Sequence, residues 1–318
     1  FERGLKLLKE NSPLSYITPN RYLSASYGEA LREFLFKQTQ VIEIIDYSHV
    51  RVFKEASTYP IVTMLKKLAT SETIYPIAIG KYNEEQDSLS FKQATSEKLN
   101  FLEGYIWGFL LNEKIGITEK IISQSVPITE YAKINATSTA SEADDYHQLI
   151  NNKSGFKLIN TGTIDRYESL WGKCELTDKG KRFLTPLLKR DANIISNNRL
   201  NLYSSPKIIL AKIAITTEAF YDIEGEYGSI NTNCFHTFNN NYSPKYILAW
   251  LNSKLFQYTF ECFFEGLKMA GGYLLYSSPN LSKMFIKKIN HIEQEPIIAL
   301  VDKIIQEKQQ EKDTTDLE

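Results

Sequence analysis

The sequence predicts an α/β fold at its start, an α+β domain after it and an amphipathic helix at its end. Three patterns lead there. Between Leu14 and Leu65, apolar runs of strand length alternate with a helical pattern, at the spacing of a parallel or mixed sheet covered by helices. At Pro127 a new pattern opens, in which Ser, Thr, Ala and Asn dominate Asn135 to Ser141. From Pro296 to Lys308, Ile297, Leu300, Val301, Ile304 and Ile305 share one face of a helix. The divisions that follow are 1–115, 116–290 and 291–318.

In order, Leu14 to Thr18 reads as a buried strand and Pro19-Asn20 as a tight turn. The helix after it places Tyr27, Ala30, Leu31, Phe34 and Leu35 on one face, with Glu29, Arg32, Glu33 and Lys37 outside. Strands are predicted at Val41 to Asp46, Pro60 to Leu65 and Glu72 to Gly80, then a polar exposed connection from Tyr82 to Asn100. Phe101 to Leu111, with Trp107, is apolar enough to pack, and a short helix is expected at Ile117 to Ile122. Asn135 to Ser141 suits either a plain surface linker or the opening of a recognition domain. Phe156 to Ile159 reads as a strand leading into a loop of short polar side chains around Gly162. Pro206 to Thr216 is a strand whose Lys207 and Lys212 fall on opposite faces. Thr217 to Tyr227 is acidic and turn-like, and Ser243 to Phe264 is one long helical pattern whose aromatics suit a core. The polar tail to Glu318 is expected to fray.

Composition narrows the function classes. Hydrophobic content of 42% and charged content of 24% are ordinary for a globular chain. No apolar run reaches the roughly 20 residues that span a bilayer. Cys174, Cys234 and Cys262 lie far apart and read as free thiols in a reducing cytoplasm, neither disulfides nor a zinc site. His49, His147, His236 and His291 are likewise scattered, and no metal is expected. Net charge is −1, but residues 151–290 hold 18 basic against 11 acidic residues, a surplus of +7, whereas 291–318 carry −5. A locally basic domain in a neutral chain suits docking on phosphate without large unspecific affinity.

The run ERGLKLLK, then ITPNRYL, YGEALREFL and IIDYSHVRVF, resembles the second half of the adenine-specific DNA methyltransferases of restriction-modification systems. Within that group it is most similar to enzymes with a TaqI-like C-terminal specificity domain, including type IIG fusions and BREX-like phage-defence enzymes. LINTGTIDRYESLWG (Leu158 to Gly172) and LNSKLFQYTFECFFEGLKMAGGYLLYSSPNL (Leu251 to Leu281) extend the match in family order. The resemblance implies the truncated second half of a Rossmann-like methyltransferase sheet over 1–115, then a target-recognition domain over 116–290. It implies S-adenosylmethionine as cofactor and double-stranded DNA as partner. This sequence has neither a G-x-G cluster nor a Pro-Pro pair, so the cofactor turn and the Asn-Pro-Pro-aromatic clamp are expected in a missing N-terminal half.

The resemblance assigns Phe53, in Val52-Phe53 ahead of the strand at Pro60, to stacking on a flipped adenine; a core position under the sheet edge is the competing reading. DNA contacts are expected at Asn160, Thr161, Thr163, Arg166 and Tyr167, which supply hydrogen-bonding groups, a charge and a stacking face. Lys212, Lys268, Gly271, Gly272 and Tyr273 join them, the paired glycines allowing close approach of backbone to a ligand. Two function classes remain: the DNA-recognition part of a methyltransferase, or a non-enzymatic specificity module that serves a separate enzyme. The opening half-sheet favours the first.

Overall fold

The computed structural model describes residues 1–53, 58–68, 74–113 and 115–318. The chain divides into two compact units, Phe1–Glu119 with Phe260–Lys268 and Lys120–Thr259 with Met269–Glu318. Both mix helices with strands.

In the first unit, α1 (Glu2–Leu7) precedes a five-stranded sheet of β1 (Pro13–Pro19), β2 (Thr39–Asp46), β3 (Pro60–Lys67), β4 (Pro76–Asn83) and β5 (Ser88–Thr95). The order is β1-β3-β2-β4-β5. β1 and β2 both run antiparallel to β3 between them, while β2 and β4 are parallel. Val41, Ile44, Ile61, Leu65 and Ile77 fill one side of this sheet with no exposed surface. The strands at Val41 to Asp46 and Pro60 to Leu65 are therefore where the sequence puts them. The strand expected from Glu72 starts at Pro76, and residues 72 and 73 lie outside the described ones.

Three expectations need correction here. β1 is not buried: it pairs on one side only, and Ile17 is 46% exposed. The polar stretch from Tyr82 is not a connection, because it turns at 84–87 and returns as β5, paired residue by residue with β4. An edge strand needs no apolar alternation to pair, so its composition hid it. The third concerns α2 (Glu29–Gln38), whose inward residues are Arg32 and Leu35, while Tyr27 and Ala30 are exposed. Arg32 is fully buried; its guanidinium donates to the carbonyls of Tyr22, Ala25 (2.8 Å) and Gly104 (2.7 Å from Nη2). Five fixed N–H donors let one arginine satisfy several turn carbonyls that no strand or helix serves. Burial pulls its pKa down to about 10. Trp107 is fully buried as expected for its segment, its indole N–H on Leu99 O at 2.8 Å.

The second unit is built on two four-stranded sheets. One has the order Ala219–Asp222, Lys207–Ala211, Thr232–His236, Lys133–Ala136, and is antiparallel throughout. The other has the order Tyr227–Ile230, Phe156–Asn160, Leu187–Leu188, Ile150–Asn151, with its first pair parallel. Tyr146, Phe156, Leu158, Leu188 and Tyr203 form the core under the second sheet. The segment at Asn135 to Ser141 is neither linker nor open loop: Lys133–Ala136 is a strand, Thr137 and Ser138 are buried, and Thr139 caps the helix Ala140–Tyr146 through Glu142.

Thr217 to Tyr227, read as an acidic turn, contains the strand Ala219–Asp222. Its acid residue Asp222 faces Lys207, which has no exposed surface: Nζ lies 2.5 Å from Asp222 Oδ2 and 2.7 Å from Tyr203 O. Asp222 also accepts from the backbone N–H groups of Glu226 (3.0 Å) and Tyr227 (3.1 Å). The predicted helix Ser243 to Phe264 is two helices, Pro244–Asn252 and Lys254–Phe264. It breaks where Asn252 turns its amide onto both backbone groups of Ala219 and Ser253 Oγ accepts from Phe256 N. The last helix, His291–Gln309, starts earlier than predicted, capped by Asn290, with Val301 and Ile304 buried and Leu300 largely exposed. The tail is docked, not frayed. Thr314 is buried, and Lys308 reaches Asp165 (3.2 Å) and Glu318 (3.1 Å).

Replacing one partner of the Lys207–Asp222 pair leaves the other charge buried alone, so Lys207→Met should lower stability by about 3–5 kcal/mol. Urea unfolding measures it. The double variant Lys207→Met/Asp222→Leu should recover much of that loss; a single variant as stable as the parent would contradict the assignment.

Candidate nucleic-acid interface

The loop after the strand Phe156–Asn160 folds on itself. Asn160 Oδ1 accepts from Gly162 N at 3.0 Å, and Thr163 Oγ1 accepts from Asn160 N at 2.9 Å. Thr163 is buried, so of the short polar residues expected at a partner it has no surface to offer. Thr161 holds two neighbours together: its hydroxyl donates to Asn231 O and accepts from Lys212 N at 3.2 Å.

Arg166 and Tyr167 are likewise drawn inward. Arg166 donates from Nε to Thr217 O at 3.3 Å and lies 4.0 Å from Glu318. Tyr167 has φ of 65°, gives its N–H to Ala219 O at 2.7 Å and is buried, which pushes its phenol up to about 12. A side chain so covered cannot stack on a base, which corrects the reading of Tyr167 as a stacking face. Its left-handed backbone explains the sharp turn between Asp165 and Glu168, which pair with each other.

The other expected contact residues lie along one strand pair. The strand through Lys207 is interrupted at Lys212, which gives its carbonyl to Tyr276 N at 2.9 Å. Ile213–Ala214 then pair with Leu274–Leu275. This register sets Tyr273 opposite Ile215, at the other end of the pair from Lys212, which stands beside Thr161. Both glycines have left-handed φ, 80° and 83°, a conformation that other residues rarely adopt. Tyr273 is 43% exposed and Ile215 51%, with Ile213 also outward. Ile213 and Ile215 were not expected at the surface; their alternation with Ala214 was the available signal. Lys268 belongs to the first unit and pairs with Glu261 at 3.2 Å.

Phe53 lies in the connection leaving β2, after Asp46 and before β3, in the first unit. It is 43% exposed and Val52 is 41% exposed, which removes the core reading for this ring. Residues 54–57 lie outside the described ones. Among the described residues, no three His, Cys, Asp or Glu side chains gather as a metal site, and no helix is long and apolar enough to cross a membrane. Cys174 is exposed, and Cys234 and Cys262 are buried; all three are free thiols.

Residues 1–53 match the family model of the Eco57I restriction-modification methylase, and residues 163–270 that of the TaqI-like C-terminal specificity domain. The type II restriction enzyme and methyltransferase RM.Eco57I of Escherichia coli is 35% identical over 67 residues, which are 21% of this chain and 7% of that protein. The resemblance to restriction-modification methyltransferases with a TaqI-like specificity domain is therefore borne out. Among solved structures, the chain is similar to the type IIG restriction endonuclease BpuSI (13% identity, TM-score 0.41) and to the type IIL restriction-modification enzyme MmeI in complex with DNA (10%, TM-score 0.48). Each alignment covers 95% of this chain and 43% of the other, so the chain spans less than half of either.

Glu218 yields a test of how the tail-facing cluster is packed. Burial, and next the Asp165 carboxylate, push its carboxyl up to about 7, with Arg166 opposing. Its stabilising contribution is complete below the ordinary carboxyl value of 4.5 and is lost as pH rises to about 7. Glu218→Gln, neutral throughout, should therefore gain melting temperature relative to the parent between pH 5 and 8. A gap that stays constant over that range would contradict the burial of this carboxyl.

Proposed function

We propose that this chain is the DNA-recognising part of an adenine-specific, S-adenosylmethionine-dependent DNA methyltransferase of restriction-modification or phage defence. In this reading the first unit is the second half of the methyltransferase sheet, its partner half being the one that carries the cofactor turn. The second unit docks double-stranded DNA. The observation that carries the reading is the pair of matched models, methylase at the start and specificity domain after it, in one chain. The methylase match also favours an enzyme part over a free-standing specificity module, which would have no use for it.

S-adenosylmethionine does not fit the residues present after β1. That turn is closed by its own side chains, with Tyr22 Oη on Thr63 Oγ1 at 2.7 Å and Arg32 on the carbonyls around it. What this chain supplies is recognition. An adenine amino group is paired and stacked in a duplex, so it reacts only after the base is swung out. A half-exposed aromatic such as Phe53 can cover one face of that base, at about 1–3 kcal/mol of stacking. Lys212 offers a cation to phosphate, and Gly271-Gly272 let the backbone approach a groove beside Tyr273.

In the enzyme containing this chain, Phe53→Ala should lower methylation turnover far more than DNA affinity, and Phe53→Tyr should restore part of the rate. Because the ring is not core, melting temperature should barely change; a rate loss that merely follows unfolding would contradict the role. Lys212→Glu should weaken duplex binding by this chain and flatten its salt dependence by about one counterion. Unchanged binding at several salt concentrations would move the interface elsewhere.

A further inference from the structure

The surface just described uses one cation of a basic domain. Residues 173–190 hold Lys173, Lys179, Lys181, Arg182, Lys189 and Arg190 against Glu175 and Asp178, a surplus of +4 within the +7 of 151–290. Three of them, Lys179, Lys181 and Arg182, lie on a two-stranded ribbon, Leu176–Asp178 paired with Lys181–Phe183. Leu176 and Phe183 face each other across it and pack on the core of the second unit, so Thr177 and Arg182 face outward. The tip is Lys179-Gly180, both with left-handed φ (44° and 79°), the backbone of a tight two-residue hairpin. Directly beside the tip, Asp178 holds the ribbon to His147. Leu187–Leu188 packs on the same core, and Arg190, following it, lays its guanidinium over the Phe156 ring at 4.1 Å.

A charge run is most simply a solvated face, and some of these cations have carboxylate neighbours: Lys179 with Asp144 (3.3 Å) and Arg182 with Glu175 (3.5 Å). Such exposed pairs are worth about 0–1 kcal/mol and exchange readily for another anion. Lys181 and Arg190 have no carboxylate partner among the described residues. A braced ribbon with cations at its tip and on its outer strand, on a unit otherwise near neutrality, is shaped for a polyanion. A ribbon of two strands also fits the roughly 12 Å major groove of B-DNA. We propose that Leu176–Phe183, with Arg190, is a phosphate-contacting arm for duplex DNA, separate from the surface of Thr161, Lys212 and Tyr273. This rests on the reading of the second unit as a DNA-docking module. The arm positions the duplex and reads no bases.

The test uses the full chain and a 30-base-pair mixed-sequence duplex, followed by fluorescence anisotropy from low to moderate salt. Lys181→Gln/Arg182→Gln should weaken binding and make the slope of log K against log salt shallower by about 1.8, the loss of two phosphate contacts. Lys303→Gln/Lys312→Gln removes the same charge from the acidic C-terminal segment and should leave the slope unchanged. Both side chains of the first pair are exposed, so equal melting temperatures show that the fold is kept. A parent that binds while the ribbon variant keeps its slope, or a control that loses as much, overturns the arm alone. A parent that binds no duplex overturns the DNA-docking reading and the arm with it.

Discussion

A buried cation closes the least regular connection in each unit, and the surfaces described above hang from those two points. In the second unit Lys207 and Asp222 meet with no access to water. Together they take two backbone carbonyls and two backbone N–H groups. The strand Ala219–Asp222 is thereby stopped, and the chain turns at Gly225 into Tyr227–Ile230, which joins the other sheet beside Phe156–Asn160. One ion pair thus hands the chain from one sheet to the next. It also fixes where Asn160, Thr161 and Lys212 stand. Desolvation alone would pull the proton off Lys207, and its pKa is lowered; the Asp222 carboxylate opposes this and holds the charge.

Arg32 does the same work in the first unit, on backbone carbonyls. Its carbonyl partners are Tyr22 and Ala25, in the turns before α2, and Gly104, far along the chain. A neutral side chain there would leave several carbonyls unserved, each a substantial penalty in a buried place. The connection from β1 to α2 is therefore rigid, while the connection leaving β2 carries Phe53 outward.

Much of this could be read in the residues. Apolar runs locate β2 and β3. What failed has a common cause: periodicity assumes that charge points to water. Arg32 and Lys207 are buried because turn carbonyls and Asp222 are present, and these partners lie up to 72 residues away in sequence. β5 failed for the opposite reason, since an edge strand exposed on both faces has no apolar period to find. The site shows the same split. Short polar side chains in a loop suggested a partner in solution, yet Asn160 and Thr163 serve each other. What remains exposed, Tyr273 opposite Ile215, depends on the pairing of Ala214 with Leu274, which no local pattern contains.

In the proposed function, one exposed surface of the second unit meets DNA. Hydrogen–deuterium exchange of the full chain, with and without a duplex, tests it most directly. Binding should slow exchange at 161–162, 212–215 and 271–273, and leave the buried strand Thr232–His236 as slow as before. Protection confined to other segments of the second unit, or none at a concentration where the duplex is bound, would contradict it.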